Sequence, residues 1–168
     1  MESAPQPNCT NCALRPDRLF CNLPSESLQV FESIKSVSTY PRGVTLFNEE
    51  RPARGVYVLC EGKAKLSISS DNGKRLLIRI AGPGEVLGLS STLTGSPYEF
   101  TAETTEPCQL VFIKRKDILK FLREHRQACM QVVQLLSGDL HVAYERVRSL
   151  GLSRTRKPRA AQARAARA

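Results

Sequence analysis

The cysteines are the side chains of this sequence that are best suited to chemistry. Six occur among 168 residues, and three of them precede the first stretch of helical periodicity, at Cys9, Cys12 and Cys21. A C-x2-C pair with a third cysteine nearby is typical of metal ligation or redox chemistry, because a thiolate is both a soft metal ligand and a nucleophile. Arg15 and Arg18 lie between the second and third cysteines, where their positive charge would lower the pKa of nearby thiols.

The N-terminal cysteines leave four interpretations open. An iron–sulfur cluster is held by four thiolates, and a structural zinc ion can also be held by four cysteines. Two of the thiols could instead form a reversible disulfide without a metal. Finally, the cysteines could be unligated, on an arm without fixed structure. Residues 1–24 carry too few large apolar side chains to form a core of their own.

The remaining candidates for chemistry favour structural roles. Cys60 lies in an apolar strand pattern and is predicted to be buried, whereas Cys129 opens an apolar helical seam. His125 and His141 fall on predicted helix surfaces, where we expect them to be solvated. The sequence shows no Ser-His-Asp set, no phosphate-binding loop and no suitably spaced carboxylate pair, and its predicted strands carry no histidine. We therefore predict that the chain is not an enzyme.

The longest helical pattern runs from Cys129 to Leu150. Its apolar positions step by four and three residues, which is the heptad spacing of a coiled-coil seam. With the rise of an α-helix, this segment would be about 33 Å long. We expect its seam to pack against the same helix of a second copy, and the alternative is packing against the core of its own domain. The seam residues are Cys129, Val133, Leu136, Leu140, Ala143, Val147 and Leu150.

The part of the chain before this helix has the pattern of an antiparallel β domain. Ser25 is predicted to cap a first helix whose inward-facing positions continue to Val37. From Ser38 to Ile113 the apolar period is two, and glycine and proline turns separate the short strands. The segment Asp71-Asn72-Gly73-Lys74 has the composition of a tight hairpin turn. This pattern predicts a mainly β fold with flanking helices, arranged as a small barrel or jelly roll.

Composition divides the chain into four parts. Residues 1–24 form a cysteine-containing arm, residues 25–126 the β domain, residues 127–152 the long helix, and residues 153–168 a basic tail. The tail carries six Lys and Arg residues and no acidic residue, which leaves +3 of the total net charge of +9 for the rest of the chain. No apolar run is long enough to cross a bilayer and no signal pattern is present, so we expect a cytoplasmic protein without a membrane partner.

The order of these elements and the positions of the glycines resemble the sensor half of the CRP/FNR transcription regulators. The similarity covers about residues 25–152, and it is carried by Gly43, Gly55-Val-Tyr-Val-Leu, Glu61-Gly62 and Gly82-Pro-Gly-Glu-Val-Leu-Gly88. It implies a double-stranded β-helix, or jelly roll, of the cyclic-nucleotide-binding type, followed by a dimerisation helix. It also implies a homodimer that forms through residues 129–150, and DNA as the partner of complete family members.

Members of this family that bind cyclic AMP carry a phosphate cassette, in which Gly-Glu-Leu is followed by Arg-Ser. The glutamate holds the ribose hydroxyl group, and the arginine neutralises the cyclic phosphate. Here the matching positions are Gly88-Leu89-Ser90 and Tyr98-Glu99, and no arginine lies between Ile80 and Phe112. Because a buried phosphate without a cation would be poorly stabilised, we predict no cyclic-nucleotide binding in the usual mode.

The FNR-like branch of the family senses oxygen or redox state through a [4Fe–4S] cluster. Its ligands are a cysteine group before the first helix and one distant cysteine, which lies ahead of an apolar strand and a short helix. The resemblance therefore implies that Cys9, Cys12, Cys21 and Cys108 hold a [4Fe–4S] cluster, with zinc or no metal as the alternatives.

Complete family members continue after the long helix into a winged helix-turn-helix that reads DNA. Residues 153–168 have no apolar periodicity, so we expect a truncated or frame-shifted chain that lacks this domain; a second possibility is that the basic tail binds phosphates without reading bases. The sequence thus predicts the sensor and dimerisation part of a redox- or oxygen-responsive regulator. The alternative is a stand-alone interaction module of the same fold, with a zinc site or no metal.

Overall fold

The computed structural model describes residues 19–153. The chain divides into two compact units, Met1–Val132 and Val133–Ala168. None of the helices between residues 19 and 153 combines the length and the apolar character that crossing a membrane requires. In chain order the elements are α1 (Ser25–Ile34), β1 (Lys35–Tyr40), β2 (Thr45–Phe47), β3 (Gly55–Glu61), β4 (Ala64–Ser69), β5 (Arg75–Ala81), β6 (Val86–Leu87), α2 (Leu89–Thr94), β7 (Thr101–Thr104), β8 (Cys108–Lys114), α3 (Arg115–Glu124) and α4 (Arg126–Ser153).

The strands of this part of the chain form two four-stranded antiparallel sheets. The first has the order β1-β8-β3-β6 and the second the order β2-β7-β4-β5. Together with the flanking helices and the long C-terminal helix, this arrangement confirms the predicted jelly-roll fold class. The buried core of the roll draws residues from both sheets and consists of Phe47, Leu59, Ala64, Leu66, Ala81, Leu87, Tyr98, Ala102, Cys108 and Leu110.

A second apolar cluster holds the segment before α1 against the helices. The ring of Phe20 stacks on Phe31 of α1 at a centroid distance of 5.1 Å and meets Phe121 of α3 edge-on at 6.4 Å. All three side chains are 1% exposed. Aromatic contacts of this kind contribute beyond the area that they bury, so residues 19–23 are anchored although they lie outside any helix or strand.

The start of the roll corrects two sequence-based expectations. The predicted N-cap Ser25 lies inside α1, and Pro24 occupies the cap position without a side-chain hydrogen bond. The helix was expected to continue to Val37, but it ends at Ile34, and β1 pairs with β8 from Lys35 opposite Ile113 to Tyr40 opposite Cys108. The complete ladder with β8 outweighs the weak helical spacing of this short segment.

A short helix, α2, was absent from the sequence-based prediction. It lies between Gly88 and Gly95, which both adopt left-handed backbone conformations, with φ of +74° and +78°. The amide of Gly95 donates to the carbonyl of Ser91 at 2.9 Å and closes the helix. Glycine after the last helical residue is a common stop signal, so Gly95 was the clue in the sequence.

The structure predicts that alanine at Gly55 will be poorly tolerated. A Cβ atom there would overlap the carbonyl oxygen of Ile113 and lie 2.9 Å from ring atoms of Phe112. Because a packed core cannot give way freely, we expect Gly55→Ala to lower the free energy of unfolding by about 1–3 kcal/mol, measured by urea denaturation. Gly82→Ala is the control, since nothing lies within 4 Å of a Cβ atom there. Equal stability of the two variants would contradict the close approach of β3 and β8.

Candidate functional site

Tyr98 fills the interior of the roll close to the start of β3. It is 5% exposed, and its ring stacks on Phe47 at a centroid distance of 4.1 Å. Its hydroxyl group donates a hydrogen bond to the carbonyl of Gly55 at 2.8 Å. It accepts hydrogen bonds from the backbone amides of Arg54 and Gly55 at 3.2 and 3.3 Å. Burial raises the pKa of Tyr98, so the hydroxyl group keeps its proton and its role as a donor.

The chain segment that contains Tyr98 supplies no cation for a bound phosphate. An added Cβ at Gly88 would lie 2.6 Å from the ring of Tyr98, and Leu89 is 4% exposed. Glu99 is exposed and accepts a hydrogen bond from Ser90 at 2.9 Å. No lysine or arginine occurs from Ala81 to Phe112. This part of the roll is therefore packed by the chain's own aromatic ring, and residues 81–112 offer an anion no charged donor.

Cys21 lies in the anchored segment that precedes α1. It is 3% exposed, between Phe20 and Leu23, which are equally well buried. The carbonyl of its neighbour Asn22 accepts a hydrogen bond from the side-chain amide of Gln131 in α4, at 2.9 Å. The backbone beside Cys21 is thus joined directly to the first turns of α4.

Cys108 lies at the start of β8 and is 1% exposed. Its sulfur atom is 3.3 Å from the carbonyl oxygen of Lys63 and 3.2 Å from that of Glu106, so the thiol is placed to donate. Burial raises the pKa of the Cys108 thiol, since the charged thiolate would lose its hydration. A Cβ at Gly62 would come within 2.6 Å of the sulfur, which leaves it little room on that side.

Two of the four predicted cluster ligands, Cys21 and Cys108, lie in the part of the chain that the structure describes. Cys9 and Cys12 lie outside the residues that the structure describes. From residue 19 to residue 153, no group of three or more His, Cys, Asp or Glu side chains is placed to hold a metal ion. Four thiols have the right chemistry for an iron–sulfur cluster, but the Cys108 sulfur in this conformation is buried in the roll against two carbonyl oxygens and does not fit as a ligand. The four-cysteine set remains a prediction.

The other cysteines and the histidines can be placed individually. Cys60 is 4% exposed, which confirms the prediction of a core residue, and Cys129 is half-buried. The prediction for His141 is confirmed, since it is exposed. The prediction for His125 was wrong, because its Nδ1 atom lies 2.9 Å from the hydroxyl oxygen of Ser27 and its ring packs on Phe121 at 4.5 Å. Spacing alone did not reveal a contact between residues 98 positions apart.

The long helix α4 presents an uncovered apolar surface. Its first turns are packed, with Ala128 fully buried and Val132 3% exposed. Seven other large apolar side chains of α4 have exposed fractions of 50–70%. They include four members of the predicted seam, together with residues beside it, and are Met130, Val133, Leu140, Val142, Tyr144, Val147 and Leu150. A surface of this kind on a protein is typical of an interaction site.

Comparisons with known proteins agree with this architecture. The family model for the cyclic nucleotide-binding domain matches residues 37–125. The transcriptional activatory protein AadR of Rhodopseudomonas palustris is 28% identical over 142 residues, which cover 84% of this chain and 58% of AadR. The nitrogen fixation regulation protein FixK of Bradyrhizobium diazoefficiens is 26% identical, over 85% of this chain and 59% of FixK. This chain therefore spans about three fifths of the length of these two curated relatives.

A solved structure gives the same result at the level of the fold. The catabolite activator protein of Thermus thermophilus superposes with a TM-score of 0.71 at 25% sequence identity, and the match covers 79% of this chain and 62% of that protein. The resemblance predicted from the glycines and the order of elements is confirmed by these findings.

The packing around Tyr98 predicts that cyclic AMP will not stabilise the protein. A ligand that binds the native state at a hundred times its dissociation constant adds about 2.7 kcal/mol to the free energy of unfolding. We expect no change in the thermal midpoint at millimolar cyclic AMP, measured by calorimetry, with AMP as the control for nonspecific anion effects. A rise of several degrees with cyclic AMP alone would contradict the prediction.

Proposed function

Because the chain belongs to the family of cyclic nucleotide-binding domains, we propose that it is the sensor and dimerisation part of a CRP/FNR-type transcription regulator. Relatives named as regulators, AadR and FixK among them, support this role. DNA as the eventual partner and a cytoplasmic location are part of the same proposal. The chain covers only part of these relatives, and residues 154–168 lie outside the described structure, so binding of DNA is proposed for the regulator as a whole.

The observation that carries the proposal is the uncovered seam of α4. A helix of this length gains little stability in water without a packed apolar face, and Leu140, Val147 and Leu150 are each at least 52% exposed. Heptad spacing allows two such helices to pack side by side with interlocking side chains. The proposed partner is therefore the same helix of a second copy.

The proposed signal is chemical change at the N-terminal cysteines rather than binding of a cyclic nucleotide. Residues 81–112 offer no cation to a phosphate, whereas the N-terminal segment carries three thiols. Cys21 is the described member of this group, and the hydrogen bond from Gln131 to Asn22 links its segment to α4. Oxidation or metal loss that displaced this segment would remove a support from the start of the dimerisation helix.

The nature of the group held by the cysteines is a separate question within this proposal. A [4Fe–4S] cluster is the group implied by the FNR-like resemblance, and zinc or metal-free thiols are the alternatives. An iron–sulfur cluster would supply oxygen-sensitive chemistry when bound. The residues of this chain would supply thiolate ligands, and the packing of Phe20 would hold Cys21 in place.

Charge placed in the seam should abolish dimerisation. We expect the double substitution Leu136→Glu and Leu140→Glu to yield monomers in analytical ultracentrifugation, where the unsubstituted chain forms dimers. Each unpaired carboxylate buried in an interface costs about 3–5 kcal/mol. Gln134→Glu is the control, because it adds charge to an exposed position outside the seam. If the double variant still forms dimers at the same concentration and keeps its native circular dichroism, the assignment of the seam as the dimer interface would be refuted.

Purification without oxygen tests the proposed signal. We expect a coloured protein with iron and inorganic sulfide in equal amounts, whose visible absorbance is lost in air. Iron, sulfide and zinc contents are measured on the same sample. A colourless protein with stoichiometric zinc would indicate a zinc site in place of the cluster. A colourless protein without either metal, whose dimerisation does not respond to thiol oxidation, would refute signalling through the cysteines.

A further inference from the structure

The carbonyl oxygen of Lys63 is the meeting point of three hydrogen-bond donors. The backbone amide of Thr105 lies 2.8 Å from it, the hydroxyl group of Thr105 3.0 Å, and the sulfur of Cys108 3.3 Å. These contacts close the end of the roll, where the turn between β3 and β4 meets the turn between β7 and β8. The thiol of Cys108 is therefore part of a hydrogen-bonded corner of the fold.

The surroundings of Cys108 supply hydrogen-bond acceptors for its thiol. Two carbonyl oxygens, those of Lys63 and Glu106, lie within 3.3 Å of the sulfur, so either can accept the thiol proton in a hydrogen bond. Metal ligation needs the deprotonated form of cysteine, which has no proton to donate to either carbonyl.

The backbone at this corner is fitted to the sulfur. Gly62 has a φ of +83°, and an added Cβ would overlap the carbonyl of Pro107 and approach the Cys108 sulfur to 2.6 Å. On its other sides the Cys108 side chain belongs to the core cluster of the roll, with Ala64 and Leu110. A rotation of Cys108 toward an external metal would leave this packing and break its contact with Lys63.

We propose that Cys108 is a structural hydrogen-bond donor of the roll and not a ligand of the metal or redox site. The proposal rests on the proposed function only in assigning the signal to the other cysteines, Cys9, Cys12 and Cys21. This departs from the four-cysteine set implied by the FNR-like resemblance.

Two substitutions separate a structural donor from a ligand. Cys108→Ser keeps a donor at the corner, and Cys108→Ala removes it. We expect both variants, purified without oxygen, to retain the iron or zinc content and the visible spectrum of the unsubstituted protein. Cys108→Ala should unfold at a lower urea concentration than Cys108→Ser, because only the serine hydroxyl can donate to Lys63. Cys21→Ser is the comparison expected to lose the metal.

Thiol labelling gives a readout that does not depend on a metal. In the native, metal-free protein we expect Cys108 to react with a disulfide reagent at least about 100-fold more slowly than glutathione, because labelling requires local opening. Peptide mapping identifies the labelled cysteine, and labelling in urea gives the total. Rapid labelling of Cys108 in the metal-free protein, with protection only after loading with iron or zinc, would overturn the proposal.

Failure of this proposal can be told apart from failure of the proposed function. Loss of metal from a folded Cys108→Ser variant, with an unchanged unfolding transition, would overturn the structural role and leave signalling through the cysteines intact. If no form of the protein contains metal, the result would count against the iron–sulfur cluster but not against the structural role of Cys108. The stability and labelling experiments would still decide whether Cys108 is a buried donor.

Discussion

The pairing of β8 on both of its edges is the constraint on which the rest of the roll depends. Residues of β8 pair with β1 on one side and with β3 on the other. Cys108 opens this strand and α3 follows it without a break. The same strand therefore fixes the hydrogen-bonded corner at Lys63 and carries the chain into the helix that packs against Phe20 and Phe31.

Much of the fold was accessible from local sequence signals. The predicted hairpin turn at Asp71–Lys74 lies between the paired strands β4 and β5, because alternation and turn residues act within a few positions. The strand β1 was missed because its pairing partner, β8, lies more than 60 residues away. Propensity describes a segment alone, whereas its final state is set by what it packs against.

The sequence allowed the residue types of the candidate site to be predicted, but not the burial and hydrogen bonds of those residues. The lack of arginine from Ala81 to Phe112 was visible in the sequence, yet the three hydrogen bonds of Tyr98 depend on the backbone of Arg54 and Gly55, where β3 begins. The cysteines could be identified by spacing and resemblance, but the two carbonyl groups around Cys108 belong to Lys63 and Glu106. Burial and hydrogen bonding between distant segments decide whether a thiol donates or ligates.

The aromatic stack of Tyr98 on Phe47 also bears on how this domain could change over evolution. An arginine at position 98 would bring the missing cation, but it would at once remove a buried ring and an anchor for the start of β3. A lineage moving toward nucleotide recognition would thus pass through a poorly stable intermediate unless other substitutions came first. Such a barrier favours the gain of new inputs at the surface of the domain while its interior stays closed.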